Sequence, residues 1–144
     1  MILPDVNVLL SAFRADTVTH AICRGYVDEI TESRLSFALS TVILASVVRL
    51  STNPRIFNPP SSVDDAVGFC EDLVCQPNAV FVHPGAEHWS LFSALCRETN
   101  ATGNLVTDAW IAALALEWGC EVVTYDRDFS RFRGIRHRPP HRSH

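Results

Sequence analysis

Gly103-Asn104-Leu105-Val106-Thr107-Asp108-Ala109-Trp110-Ile111-Ala112-Ala113-Leu114-Ala115-Leu116 carries a single acid in a run of small and apolar residues. Ala and Leu dominate it and no Pro interrupts it, so its composition predicts a helix. The residues three and four positions from Asp108 are Asn104, Leu105, Ile111 and Ala112, which sets the carboxylate on a mostly apolar face. The opposite face is no more polar, and this weighs against a solvated acid at a helix edge. A lone buried carboxylate is costly unless paired or bound to metal. Asp108 is therefore expected to line a cleft or to meet a cation.

Working outward, two short β-prone runs stop on acids. Met1-Ile2-Leu3-Pro4-Asp5 is one, and Glu121-Val122-Val123-Thr124-Tyr125-Asp126 is the other. In open α/β sheets, ligands bind beyond the carboxyl ends of the strands. Acids at two such ends and one on an apolar helix would repel each other and favour protons or a hard divalent cation. Oxygen-only ligands suit Mg²⁺ and Mn²⁺. The pattern points to metal-dependent chemistry at phosphate.

The intervening chain alternates helix and strand signals. Val6 to Phe13 reads as a short apolar helix that begins at Asp5. Asn7, two residues on, has an amide suited either to a metal-bound water or phosphate oxygen, or to a local turn. Thr17 to Glu32 reads as amphipathic, with Ala21, Ile22, Gly25, Tyr26, Glu29 and Ile30 at helical spacing. Leu35 to Leu39 alternates like a strand, and Ser40-Thr41 caps a helix over 42–50. Residues 51–62, dense in Pro, Ser and Asn, form a loop expected on the active-site rim. Further elements are a helix from Ser62 to about Cys75, a strand over 79–82, a helix over 87–100 and the helix over 104–118, with Gly119 as its C-cap. A turn over 127–132 and an edge strand near Ile135 complete the chain. The alternation predicts a parallel sheet covered on both faces.

At 144 residues, 47% apolar and 19% charged, the chain is expected to be a single globular domain, with a flexible basic tail from about residue 136. No apolar run is long enough to span a bilayer and no basic-then-hydrophobic leader opens the chain, so a cytoplasmic protein is expected. The five cysteines are scattered, without a Cys-x-x-Cys pair, and predict reduced thiols. Lysine is absent. Residues 1–126 carry six Arg and fifteen acids (−9), and the rest carry six Arg and one acid (+5), which sum to −4. The tail arginines Arg131, Arg133, Arg136, Arg138 and Arg142 either hold phosphates or belong to a solvated end. The histidines His20, His83 and His88 fall in unrelated contexts, and His137, His141 and His144 offer only a weak adventitious metal site. No Gly-rich phosphate loop and no Gly-x-Ser-x-Gly elbow is present.

Three pieces together resemble the PIN-domain ribonucleases, and among them the VapC toxins of bacterial VapBC toxin–antitoxin pairs. They are Leu3-Pro4-Asp5-Val6-Asn7-Val8-Leu9, Thr107-Asp108-Ala109-Trp110-Ile111-Ala112-Ala113-Leu114-Ala115, and Val122-Val123-Thr124-Tyr125-Asp126-Arg127-Asp128-Phe129. The stretch Arg49 to Phe57 is also similar to one branch of these toxins. The resemblance spans essentially the whole chain. It implies a three-layer α/β/α PIN-like fold with a parallel central sheet of about four to five strands. It implies a Mg²⁺ or Mn²⁺ site and endonucleolytic cleavage of RNA (of the tRNA or rRNA class), neutralised by a cognate VapB-type antitoxin. A homodimer is implied, and no membrane. By position Asp5 and Asp108 match the main metal ligands, Asp126 the fourth acid, Asp128 a frequent extra one, and Asn7 and Thr124 supporting polar positions.

One position departs from the pattern: the family's second acid falls at Ser46, which supplies no charge although its oxygen can hold a water. Arg49, one turn on, is placed to offset the charge of the cluster. The expected chemistry is hydrolysis in which Asp5 and Asp108 hold the ion and Asp126 or Asp128 positions the water or a second ion. Tyr125, Trp110 and Phe57 are either base-stacking or packing residues. The competing reading is a catalytically weak PIN-like module that binds RNA or antitoxin. A receiver domain needs a Lys that this chain lacks, and a dehalogenase-like phosphatase needs an acid where Asn7 stands.

Overall fold

The computed structural model describes residues 1–141; Arg142 and His144 of the basic tail lie outside the described residues. Among the described residues five short strands form one sheet: β1 (Ile2–Pro4), β2 (Phe37–Leu39), β3 (Ala79–Phe81), β4 (Glu121–Val123) and β5 (His137–Arg138). Their order is β3-β2-β1-β4-β5 and every neighbouring pair is parallel. From β1 the chain builds outward through β2 to β3, then returns to the other side of β1 for β4 and β5. The connections leaving β1 and β4 therefore diverge, and a crevice opens between their carboxyl ends.

Six α-helices cover the sheet: α1 (Val6–Phe13), α2 (His20–Glu32), α3 (Thr41–Ser51), α4 (Val63–Val74), α5 (His88–Thr99) and α6 (Asn104–Trp118). α1 packs on α2 and α3, α3 on α4, and α5 on α6, so the helices divide into two sets about the sheet. A parallel sheet needs such cover because its strands are apolar on both faces. In β2 all three residues are buried, and Leu3, Val122 and Val123 are as well. α6 buries Leu105, Ala109 and every residue from Ile111 to Ala115, as expected for a helix wedged between sheet and neighbour. Gly119 ends it in the left-handed region at φ 67°. A Cβ there meets no atom within 4 Å, so only the backbone conformation opposes a substitution. Gly119→Ala is expected to cost about 1 kcal/mol, read as a fall of about 3 °C in the thermal midpoint.

Several local expectations shift. On α2 the buried stripe is Cys23, Tyr26, Val27 and Ile30, while Ile22 is 49% exposed. Both sets obey helical spacing, and a buried thiol packs as a small apolar side chain. The buried Ser40 makes no side-chain cap bond to α3. Ser62 does cap α4, accepting from Asp65 N at 3.0 Å. The 51–62 loop fastens to Arg14, whose guanidinium bonds Ser61 Oγ and Pro59 O and covers the Phe57 ring. Those contacts lie at the far end of α1 from Asp5, about 12 Å along its axis, rather than at the carboxylates.

The tail expected from about residue 136 is in part sheet. Val122 N donates to Arg136 O, Thr124 N to Arg138 O, and Arg138 Nε to Glu121 Oε1 at 2.7 Å. The strand sits two residues beyond Ile135, after Gly134 turns the chain at φ 83°. All five cysteines are free thiols. No helix among the described residues is long and apolar enough to cross a membrane.

Candidate active site

The crevice between β1 and β4 is where the predicted acids meet. Asp5 follows β1 directly, and its N–H donates to Val123 O at 2.9 Å, so the β1–β4 ladder places it. Its side chain is the N-cap of α1, with Oδ1 accepting from Val6 N at 2.7 Å. Oδ2 accepts from Thr124 Oγ1 at 2.8 Å and from Asn7 Nδ2 at 3.2 Å. An ionised carboxylate offers about four acceptor sites, and three of those of Asp5 are filled within the fold.

Thr124 is the hub of this network. Its hydroxyl donates to Asp5 and accepts from Asn7 Nδ2 at 3.0 Å and from Asp126 N at 2.9 Å. Asn7 closes the ring, with Oδ1 accepting from Tyr125 N at 3.1 Å. The Asn7 amide thus braces Asp5 against Thr124 and Tyr125, a contact between distant parts of the chain rather than a local turn.

Asp126 caps a 3-10 helix over Arg127–Arg131, accepting from Asp128 N at 2.9 Å. Phe129, fully buried against Phe132, nails that helix to the core and to α6. The result brings together Asp108 from α6 with Asp126 and Asp128: one carboxylate oxygen from each lies within 4.8 Å of the others. Asp108 and Asp126 are half-buried and Asp128 is exposed. Asp5 is not a member of this trio, and stands behind it, buried.

Among the described residues, no ion pair joins an arginine to these acids. The ion pairs among the described residues are Arg14–Asp16, Arg24–Asp28 and Arg138–Glu121, all elsewhere. Burial, then the charges of Asp126 and Asp5, a hydrogen bond with Asp126 and the charge of Asp128, push the Asp108 carboxyl up to about 7. Burial also raises Asp5, against the opposing bonds from Thr124 and Val6. The four acids are thus a hard, oxygen-only, uncompensated set, which fits a divalent cation held by carboxylates.

This repulsion has a measurable consequence. Between about pH 4 and 7 the folded chain holds a proton on Asp108 that the unfolded chain has lost, so stability falls as pH rises through that window. The metal-free protein is expected to show a falling thermal midpoint from pH 5 to 7.5, and Asp108→Asn to flatten that dependence. Thermal melts in chelator across this range check it.

Ser46 and Arg49 do not join the cluster. Ser46, half-buried on α3, turns its hydroxyl back to Val42 O at 2.9 Å. Arg49 is exposed in the last turn of α3 and pairs with no acid. Trp110 lies edge-on to His88 at 4.7 Å between centroids, and Phe57 lies beneath Arg14. Tyr125 alone of the three aromatic candidates is exposed, at 38%. Thr124 is expected as a supporting polar residue, and its three bonds give that support its form; the anchoring role of Phe129 has no clear mark in the sequence.

The PIN-domain family model matches residues 2–135. The chain is 43% identical over 141 residues to Ribonuclease VapC25 of Mycobacterium tuberculosis, covering 97% of this chain and 99% of that protein. The chain belongs to the PIN-domain family. Two solved structures share its fold. VapBC2 from Rickettsia felis, bound to a promoter DNA fragment, superposes with a TM-score of 0.70 at 15% identity, covering 96% of this chain and 98% of that one. VapC20 of Mycobacterium tuberculosis gives 0.68 at 16% identity, covering 94% and 99%. This PIN domain is therefore an enzyme, a metal-dependent ribonuclease of the VapC kind, and its acids occupy the crevice that the topology opens.

Proposed function

We propose that this PIN domain is the toxin of a type II toxin–antitoxin pair and a Mg²⁺-dependent endoribonuclease. The observation that carries the reading is the uncompensated trio Asp108, Asp126 and Asp128 with Asp5 braced behind it. Mn²⁺ suits the same oxygen set. When bound, a divalent cation supplies positive charge at the scissile phosphate and acidifies a water. Asp108, Asp126 and Asp128 would hold such an ion, with the buried Asp5 behind them adding negative charge. Thr124 and Asn7 keep Asp5 in one orientation, and the cap that Asp126 forms fixes the entry of the 3-10 helix carrying Asp128. Asp126 or Asp128 orients the attacking water.

The substrate is RNA of the rRNA or tRNA class. VapC20, one of the structural neighbours, is described as cleaving the sarcin–ricin loop. The partner is a cognate antitoxin, as in the VapBC2 complex. An arginine from such a partner meets the acidic crevice as a charge-assisted pair. Homodimeric assembly and action in the cytoplasm are part of the same proposal.

The test is cleavage of a mixed tRNA and rRNA pool by antitoxin-free protein, with Mg²⁺, with Mn²⁺ and with EDTA. Cleavage in either metal and none in EDTA is expected. Ser46 leaves the cation one carboxylate short of the family pattern, which favours a slow enzyme as the second reading. Folded protein that binds RNA in all three conditions without cutting it would select that binding module.

A further inference from the structure

Beyond the acids, the 3-10 helix carries a cation whose placement the metal site does not use. Arg131 lies three residues after Asp128, and in a 3-10 helix side chains at that spacing eclipse, about 6 Å apart along the axis. An arginine beside an acid at that spacing would ordinarily pair with it. Arg131 does not: among the described residues it forms no ion pair, and its Nη2 donates to Thr99 O at the end of α5, at 3.3 Å. The spacing sets Arg131 on the same side of the 3-10 helix as Asp128, and the bond to Thr99 O leaves most of the five N–H donors of this exposed guanidinium open.

We infer that Arg131 is a phosphate-binding residue, holding the RNA phosphate next to the one presented to Asp108, Asp126 and Asp128; this rests on the ribonuclease reading. A planar fork of donors on the same side of the 3-10 helix as Asp128 suits a phosphate that follows the one at the acids. In a chain without lysine, and with −9 over its first 126 residues, the approach of RNA depends on arginines of this kind. The alternative is a purely structural one, a cation at the negative end of α5.

Binding of a fluorescein-labelled twenty-residue oligouridylate to the Asp108→Asn protein, followed by anisotropy across a salt series, separates the two. Adding Arg131→Ala is expected to weaken binding several-fold and to reduce the slope of log K against log salt by about 0.7. Arg131→Lys is expected to restore the slope. With Asp108 intact, Arg131→Ala is expected to raise KM more than it lowers kcat. Unchanged affinity and slope with a lowered thermal midpoint would overturn the inference and leave Arg131 as a cap on α5. No binding by the Asp108→Asn protein, with no cleavage by the parent, would overturn the RNA reading and this inference together.

Discussion

Asp108→Asn is expected to abolish RNA cleavage and at the same time to make the metal-free protein more stable. The two effects share one cause. The Asp108 carboxyl is pushed up to about 7 by burial and by Asp126, Asp5 and Asp128. Without a cation, its ionised form is a penalty on the fold, and an amide of the same shape removes that penalty. Solvent around a half-exposed group screens the gain to about 1 kcal/mol at pH 7.5, or about 3 °C. With a cation the balance reverses, because loss of a charged ligand removes electrostatic stabilisation at the reacting phosphate. A fall of about 10³-fold in rate corresponds to ~4 kcal/mol. Single-turnover cleavage and a thermal melt on the same preparation check both halves. A variant equally active, or inactive and less stable, contradicts the account.

Phe129→Ala is expected to be the most damaging single substitution outside the acids. Phe129 is fully buried and meets Phe132 edge to face, with centroids 5.9 Å apart. Truncating such a ring costs about 3–5 kcal/mol, against a total stability of about 5–15 kcal/mol. The thermal midpoint is expected to drop by about 10 °C or more. The loss is also local, because this ring anchors the helix that carries Asp128 and follows Asp126. Cation affinity should therefore fall even at temperatures where the variant is still folded. Melts with and without Mn²⁺ measure both effects. A loss below about 1 kcal/mol, with unchanged Mn²⁺ stabilisation, would show that the 3-10 helix is held by something other than Phe129.

Much of this arrangement is legible in the amino-acid order, for physical reasons that differ by element. α6 shows itself through its composition and its glycine cap, and the two acid-ended strands through β-branched and apolar runs that stop on a carboxylate. A parallel sheet follows from the alternation. Its strand order does not, because three-residue strands carry no register information and pairing is decided by crossover helices. The crevice between β1 and β4 is consequently a property of the topology. The stripe on α2 was ambiguous because Ile22 and Cys23 each fit a helical period, and only burial tells which faces inward. β5 was hidden inside an arginine-rich segment, where Arg138 is neutralised by Glu121 across the strands. Site composition was readable but its division of labour was not. Asp5 spends three acceptor positions on Val6, Asn7 and Thr124, which no spacing rule announces. The expected contributions of Ser46 and Arg49 do not materialise as contacts: one hydroxyl is absorbed by its own helix, and one guanidinium faces solvent.

The central claim is that the carboxylates form a cation site, and calorimetric titration of Mg²⁺ and of Mn²⁺ into the antitoxin-free protein tests it most directly. Run at pH 7 in two buffers of different ionisation enthalpy, it reports protons displaced as well as binding. With Asp108 titrating at about 7, roughly half a proton is expected to leave per cation bound, and Asp108→Asn is expected to lose both the binding and the proton. Cation binding that is undetectable in the folded protein, or that survives unchanged in Asp108→Asn, would contradict the account.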